Sequence, residues 1–177
     1  MNSLEQSTME TKMEYPINTT GITEAVVKNF RHGINIGEQN LLFDKNILCE
    51  VALNTEIHPI PNMPRWLHGV INLRGNLVPV FEINTFLTEN VQRNKKNIIF
   101  VINKGANAIG LLIDKLPVTL EIDETNEILL NTYEEKTPEI FSGCINKIYA
   151  LNTDVWLEID MQILIDNIHN RSLIKKT

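Results

Sequence analysis

Trp66–Ile83 reads WLHGVINLRGNLVPVFEI, and this stretch decides the fold. Apolar residues alternate with others on both sides of Gly75-Asn76. That pair is a two-residue loop of the kind that joins antiparallel strands, with glycine at the first central position as a type II′ turn requires. With this loop, Leu73 lies opposite Val78 and Ile71 opposite Val80. These four make one apolar face, while Asn72, Arg74, Leu77 and Pro79 fall on the other, because strand side chains alternate with period two. Pro79 has no N–H for a ladder, which predicts an edge strand or a nitrogen turned outward. Arg74 sits beside the turn with a planar, permanently charged fork of donors. The stretch is a hairpin with a core face and a charged tip.

Upstream, Pro59-Ile60-Pro61-Asn62-Met63-Pro64 cannot be a helix or a central strand, so it is a stiff loop feeding the hairpin. Before it, Ile47–Leu53 is an apolar strand whose one acidic member is Glu50. His32–Ile36 and Leu41–Phe43 form an earlier strand pair around the turn residues 37–40. Residues 1–30 read as a flexible tail, with Ile22, Val26 and Phe30 spaced for a short amphipathic helix.

Downstream, Asn84–Leu87 is expected to make one helical turn, and residues 88–97 are a polar connector. Ile98–Ile102, Ala108–Ile113 and Val118–Ile122 are further strands, the first two joined around Gly105. Asp123–Glu139 is acidic and reads as a solvated loop. Gly143–Leu151 and Val155–Ile159 form a second hairpin, followed by a helix with Met161, Leu164, Ile165 and Ile168 at helical spacing and Asp160 as its cap. Residues 171–177 read as a tail. The second hairpin echoes the first. Each starts glycine, x, Ile-Asn, ends Glu-Ile and leads into a short helix, the second with two extra residues assigned to its loop. Two similar β-subdomains follow, and closing each into a barrel would remove unpaired strand edges.

The chain has 177 residues, 43% hydrophobic and 21% charged, which suits one globular domain or two small ones sharing a core. A net charge of −6 argues against nucleic-acid binding and offers no polybasic patch for lipid. The polar N-terminus has no apolar signal-peptide core, and the apolar runs are too short to span a bilayer, so a cytosolic protein is expected. Cys49 and Cys144 lie in strand-like stretches, as buried reduced thiols do. None of the four histidines stands at metal-ligand spacing, and no hydrolase or phosphate-cradling motif is present, so no metal, no cofactor and no catalysis are expected. A nucleophilic Cys144 is weighed against a core cysteine, and the strand pattern around it favours the core. What remains is Glu50 and Arg74. A solvated charge is the usual fate of either. If their strands are neighbours, however, they can make a bidentate salt bridge on a binding face.

At the hairpin the sequence resembles the CheW-like family of chemotaxis adaptor domains. The residues that carry it are Gly69-Val70-Ile71-Asn72-Leu73-Arg74-Gly75, then Val78-Pro79-Val80 and Glu82-Ile83. Leu48-Cys49-Glu50, Ile109-Gly110-Leu111-Leu112-Ile113-Asp114, Gly143 and Leu157–Leu164 extend the match over about residues 33–168. His32–Ile36, residues 1–30 and the 123–139 stretch depart from the family pattern. Within the family, residues 61–67 and 75–81 look most like PilI-type adaptors, which serve type IV pili and twitching motility.

The resemblance implies a mainly β fold of two five-stranded, SH3-like barrels around a shared core, spanning 31–170 with a divide near 90–97, and short helices including one at the C-terminus. It implies no catalysis. The implied partners are the cytoplasmic tip of methyl-accepting receptors and the regulatory domain of a CheA-type histidine kinase, met in the cytoplasm at membrane-associated receptor arrays. By motif position, Glu50 and Arg74 match the family's paired charges, and Leu48, Gly69, Gly75 and Gly110 match positions tied to receptor or kinase coupling. For the glycines, backbone need is the competing explanation. A flagellar adaptor, or a stand-alone barrel that binds extended peptides at a strand edge, is the alternative reading.

Overall fold

The structure, a computed structural model, describes residues 29–88, 97–129 and 137–174. Its strands are β1 (Asn29–Ile36), β2 (Gln39–Asp44), β3 (Cys49–Leu53), β4 (Leu67–Leu73), β5 (Asn76–Phe81), β6 (Ile98–Ile102), β7 (Ile109–Ile113), β8 (Val118–Ile122), β9 (Glu127–Ile128), β10 (Ile145–Leu151) and β11 (Asp154–Ile159). Helix α1 (Asn84–Leu87) follows the first hairpin and α2 (Met161–Ile174) the second. The strands form two sheets, one ordered β3-β6-β7-β5-β4 and the other β8-β1-β2-β11-β10-β9.

The decisive hairpin is β4–β5, but its loop is Arg74-Gly75. Leu73 pairs with Asn76, Asn72 with Leu77, Ile71 with Val78 and Val70 with Pro79. Both loop residues have positive φ, 53° at Arg74 and 85° at Gly75, as a type I′ turn demands. The register is therefore two residues away from the one expected around Gly75-Asn76. A shift of two keeps side chains on their faces, so Ile71, Val78 and Val80 are fully buried while Leu77 is 70% exposed. Pro79 is on an internal strand, not an edge. Val70 spends its N–H and C=O on His58, at 2.9 and 2.8 Å, so the Val70–Pro79 pair is one that exchanges no hydrogen bonds and the ladder to β4 misses nothing.

The two sheets share one plan. In each, a hairpin (β6–β7 or β1–β2) lies parallel and next to the second strand of a closing hairpin (β5 or β11), and a single strand (β3 or β8) flanks the other side. Both closing hairpins carry a bulge near their start, at Leu67/Gly69 and Ile145/Lys147, and both have two-residue loops, so the two extra residues lie in the strands.

Several boundaries differ from expectation. Polar residues 88–97 do not divide the sheets, because β6 and β7 beyond them pair with β3 and β5 before them. The sheets separate in sequence between Asp44 and Cys49 and again between Ile113 and Val118. The second sheet has six strands, since Glu127–Ile128 in the supposed acidic loop pairs with Tyr149 and Ile148. Asn29 and Phe30 belong to β1, held by pairing with Ile122 and Glu121; the rest of the expected N-terminal helix lies outside the described residues. Helix α2 continues to Ile174, into the stretch read as a tail. Asp160 caps it, its Oδ1 accepting from the N–H groups of Gln162 and Ile163 at 2.9 and 3.1 Å.

Alternation within the strands builds three cores. Phe100 and Ile102 face a core that also takes Ile34, Leu41 and Phe43 from the other sheet and Leu164 and Ile168 from α2. Ile99 and Val101, on the opposite face of β6, join Ala52, Ile71, Val78 and Val80 in a core private to the five-stranded sheet. Leu42, Ile122, Tyr149 and Trp156 do the same for the six-stranded one. Burial on both faces explains the near-continuous apolar runs in β2 and β6. Phe100 stacks on Phe43 across the shared core, with ring centroids 5.7 Å apart. Phe100→Ala is expected to lower unfolding stability in urea by about 3–5 kcal/mol. Leu77→Ala, on the exposed face, should stay within about 0.5 kcal/mol of the parent; equal effects would contradict the shared core.

Candidate partner-binding site

Arg74 stands at the tip of β4–β5, its side chain 73% exposed. Its turn is braced by Asn72, whose Oδ1 accepts the Gly75 N–H at 2.9 Å. Arg74 Nη2 donates to Glu50 Oε2 at 2.7 Å, and the Glu50 side chain is 30% exposed. Glu50 is on β3, at the opposite edge of the sheet from β4. Ala52 of β3 nonetheless shares a core with Ile71 of β4 and with Val78 and Val80 of β5, on one face of this sheet alone. The sheet must therefore curl until its two edges face each other, with the ion pair across the gap. The strands are not neighbours, and the contact is a single hydrogen bond in place of the fork expected between adjacent strands. An exposed pair like this contributes about 0–1 kcal/mol to stability.

The remaining candidates divide by burial. Leu48, two residues before Glu50 and just ahead of β3, is 45% exposed, and Leu77 beside the turn is 70% exposed. Gly75 is exposed, and a Cβ there would touch nothing within 4 Å, so its glycine serves the positive φ of the turn. Gly69 and Gly110 are buried and cannot touch a partner directly. A Cβ at Gly69 would run into the His58 carbonyl oxygen, and one at Gly110 would lie 2.7 Å from Ile99 Cγ2. Their glycines let strands approach closely, the structural explanation weighed for them at the outset.

Two further contacts went unread in the sequence. Glu82, 4% exposed, takes up His68 Nδ1 at 3.1 Å, with His68 the extra residue of the β4 bulge. An acid closing an apolar strand was the available signal. Trp66 stacks on Phe81 and Phe86 at 5.8 and 6.5 Å and meets the edge of His169 from α2, tying that helix to the five-stranded sheet. Among the described residues, no three His, Cys, Asp or Glu side chains stand together to hold a metal ion. No helix among them is long and apolar enough to cross a membrane.

A family model described as a CheW-like domain matches residues 33–168, well over half of the chain. The chain belongs to the CheW-like domain family. Among similar proteins, the chemotaxis protein CheW of Thermotoga maritima is 30% identical over 125 residues, covering 71% of this chain and 81% of the relative. That of Klebsiella aerogenes is 28% identical over 100 residues, covering 51% and 60% respectively. The crystal structure of the scaffolding protein TtCheW from Thermoanaerobacter tengcongensis matches with a TM-score of 0.62 and 21% identity, over 77% of this chain and 92% of that one. The mainly β, two-sheet architecture is thus the architecture of a solved CheW structure. CheW-family scaffolding proteins are non-catalytic.

Both cysteines are free thiols. Cys144 is fully buried and its Sγ donates to the Phe141 carbonyl at 3.1 Å. Burial pushes its thiol up to about 12, and the Asp160 carboxylate adds in the same direction. A neutral, enclosed thiol is the reverse of an activated nucleophile. Because the folded-state value is raised above the ordinary 9.0, this group favours the fold below that pH and progressively less above it. At pH 8, native protein is expected to leave Cys144 unmodified by a thiol reagent until urea unfolds it, read by mass spectrometry. Rapid native labelling of Cys144 would contradict the burial.

Proposed function

We propose that the protein is a non-catalytic chemosensory adaptor that couples methyl-accepting receptors to a CheA-type histidine kinase. The observation that carries this is the Arg74–Glu50 pair. Arg74 occupies left-handed backbone space that favours glycine or asparagine, its side chain is 73% exposed, and its ion pair contributes little to the fold. A charge kept at a conformational cost, with so small a return in stability, is explained by a partner that uses it. Leu48 and Leu77 supply apolar contact beside it, and Gly75 supplies the turn. Gly69 and Gly110 act on the surface only through strand packing.

In this reading the cytoplasmic receptor tip and the kinase regulatory domain bind the adaptor together at the receptor array. The receptor's conformational state then reaches the kinase as a change in the shared assembly, with no chemistry on the adaptor. The chemotaxis names of the relatives support the coupling role. Control of type IV pili in place of flagella rests on the likeness of residues 61–67 and 75–81 to PilI-type adaptors. A deletion strain that loses twitching but keeps swimming supports the pilus output, and the converse supports the flagellar one.

A stand-alone peptide module remains the second reading, because β3 has a usable edge. Leu48 O and Asn54 N bond toward β6, so the alternating residues Cys49, Val51 and Leu53 turn their backbone groups the other way. Competition separates the two: receptor-tip helices should displace an adaptor's partner, and extended peptides a strand-adding one.

The direct test is a titration of the protein against the regulatory domain of its own organism's CheA-type kinase, with and without receptor tip. Saturable binding, weakened about tenfold or more by Arg74→Ala with unchanged unfolding stability, is the expected result. Normal binding by the variant, or its unfolding, would remove Arg74 from the coupling surface.

A further inference from the structure

We infer that Asn72 is the positioning residue of the coupling surface, holding the Arg74-Gly75 turn in the one conformation that presents the guanidinium to Glu50 and to a partner. The inference rests on the coupling role of Arg74 argued above. Asn72 Oδ1 accepts the Gly75 N–H at 2.9 Å, bridging the start of the turn to its second residue. Asn72 itself is exposed, paired with Leu77 on the outer face of the hairpin, and fills no core.

The second closing hairpin offers a comparison at the first loop position. The β10–β11 hairpin closes on Leu151 and Asp154, as β4–β5 closes on Leu73 and Asn76. Its first loop residue is Asn152, at φ 57°, the counterpart of Arg74 at φ 53°; its second, Thr153, lacks the positive φ of Gly75, so the two turns compare at their first position. Asparagine enters left-handed space readily because its short polar side chain bonds locally, whereas arginine does not. The position matching Asn72 is Ala150, which has no side chain to brace anything. At that position the turn with asparagine lacks the brace, and the turn with arginine has one.

Two-residue hairpin loops keep strands paired only when their twist matches the right-handed twist of the strands. Without the Asn72 bond, Arg74 is free to relax toward negative φ, and the guanidinium swings away from Glu50 on the facing edge. The side chain would still be present and charged but no longer placed. Asn72 therefore acts through Arg74 and needs no contact with the partner.

The test uses Asn72→Ala and Asn72→Asp, each in the parent and in the Arg74→Ala background, titrated with the kinase regulatory domain plus receptor tip. Hydrogen exchange of the Gly75 amide reads the turn without any partner. Asn72→Ala should expose that amide and weaken binding about five- to tenfold, the effect of one lost hydrogen bond. Asn72→Asp, whose carboxylate accepts the same N–H, should keep both within about twofold. In the Arg74→Ala background Asn72→Ala should change binding no further. Unaltered binding by Asn72→Ala, or an equal loss in both backgrounds, would overturn the inference while leaving Arg74 in place. Normal binding by Arg74→Ala alone would instead remove the coupling reading, and Asn72's role with it.

Discussion

Everything in this protein depends on each sheet being buried on both faces. Phe100 and Ile102 look into the core shared with the other sheet, while Ile99 and Val101, one residue out of phase, look into a private one. A sheet can bury its second face without another layer only by curling over it. Curling brings β3 around to the tip of β4–β5, although the two lie at opposite ends of the strand order. The apolar packing therefore comes first, and the Arg74–Glu50 contact is its result at the rim.

That order of causes separates stability from function. Phe43, Phe100, Leu157 and Leu164 are almost fully buried and hold the sheets and α2 together. Arg74, Glu50, Leu48 and Leu77 lie outside these cores and contribute little to cohesion, which leaves them available to a partner. The glycines fall between the two roles. Gly69 and Gly110 are needed where backbones and side chains press close, and Gly75 where the chain turns with positive φ. A CheW-like domain needs no reactive group for such work, and the one enclosed thiol, Cys144, is neutral at physiological pH.

Much of this was legible in the sequence because strand alternation is a strong signal. The hairpin, most strands, α1, the Asp160 cap and the echo between the two closing hairpins were all readable. The loop of the key hairpin was not, since Gly75 belongs both to Gly75-Asn76 and to Arg74-Gly75, and residue type does not mark the Leu73–Asn76 pairing that fixes the second. The faces came out right regardless, because the two registers differ by an even number. The divide near 90–97 failed because polarity marks a surface segment and says nothing of pairing. The long-range parallel pairs, β5 with β7 and β2 with β11, are what assign strands to sheets. The Glu50–Arg74 meeting was anticipated between neighbouring strands, whereas its true route, across the facing edges of a curled sheet, is a tertiary property. The bulge that turns His68 onto Glu82 likewise has no signature in residue spacing.

The central claim is that the Glu50–Arg74 pair exists for assembly and contributes little to folding. A double-mutant cycle on Glu50→Ala and Arg74→Ala, run once on urea unfolding and once on formation of the complex with receptor tip and kinase regulatory domain, tests it most directly. The account predicts a coupling of at most about 1 kcal/mol in unfolding, the usual range of an exposed pair, and a clearly larger one in assembly. A large coupling in unfolding with none in assembly would make the pair a structural clasp and contradict the account.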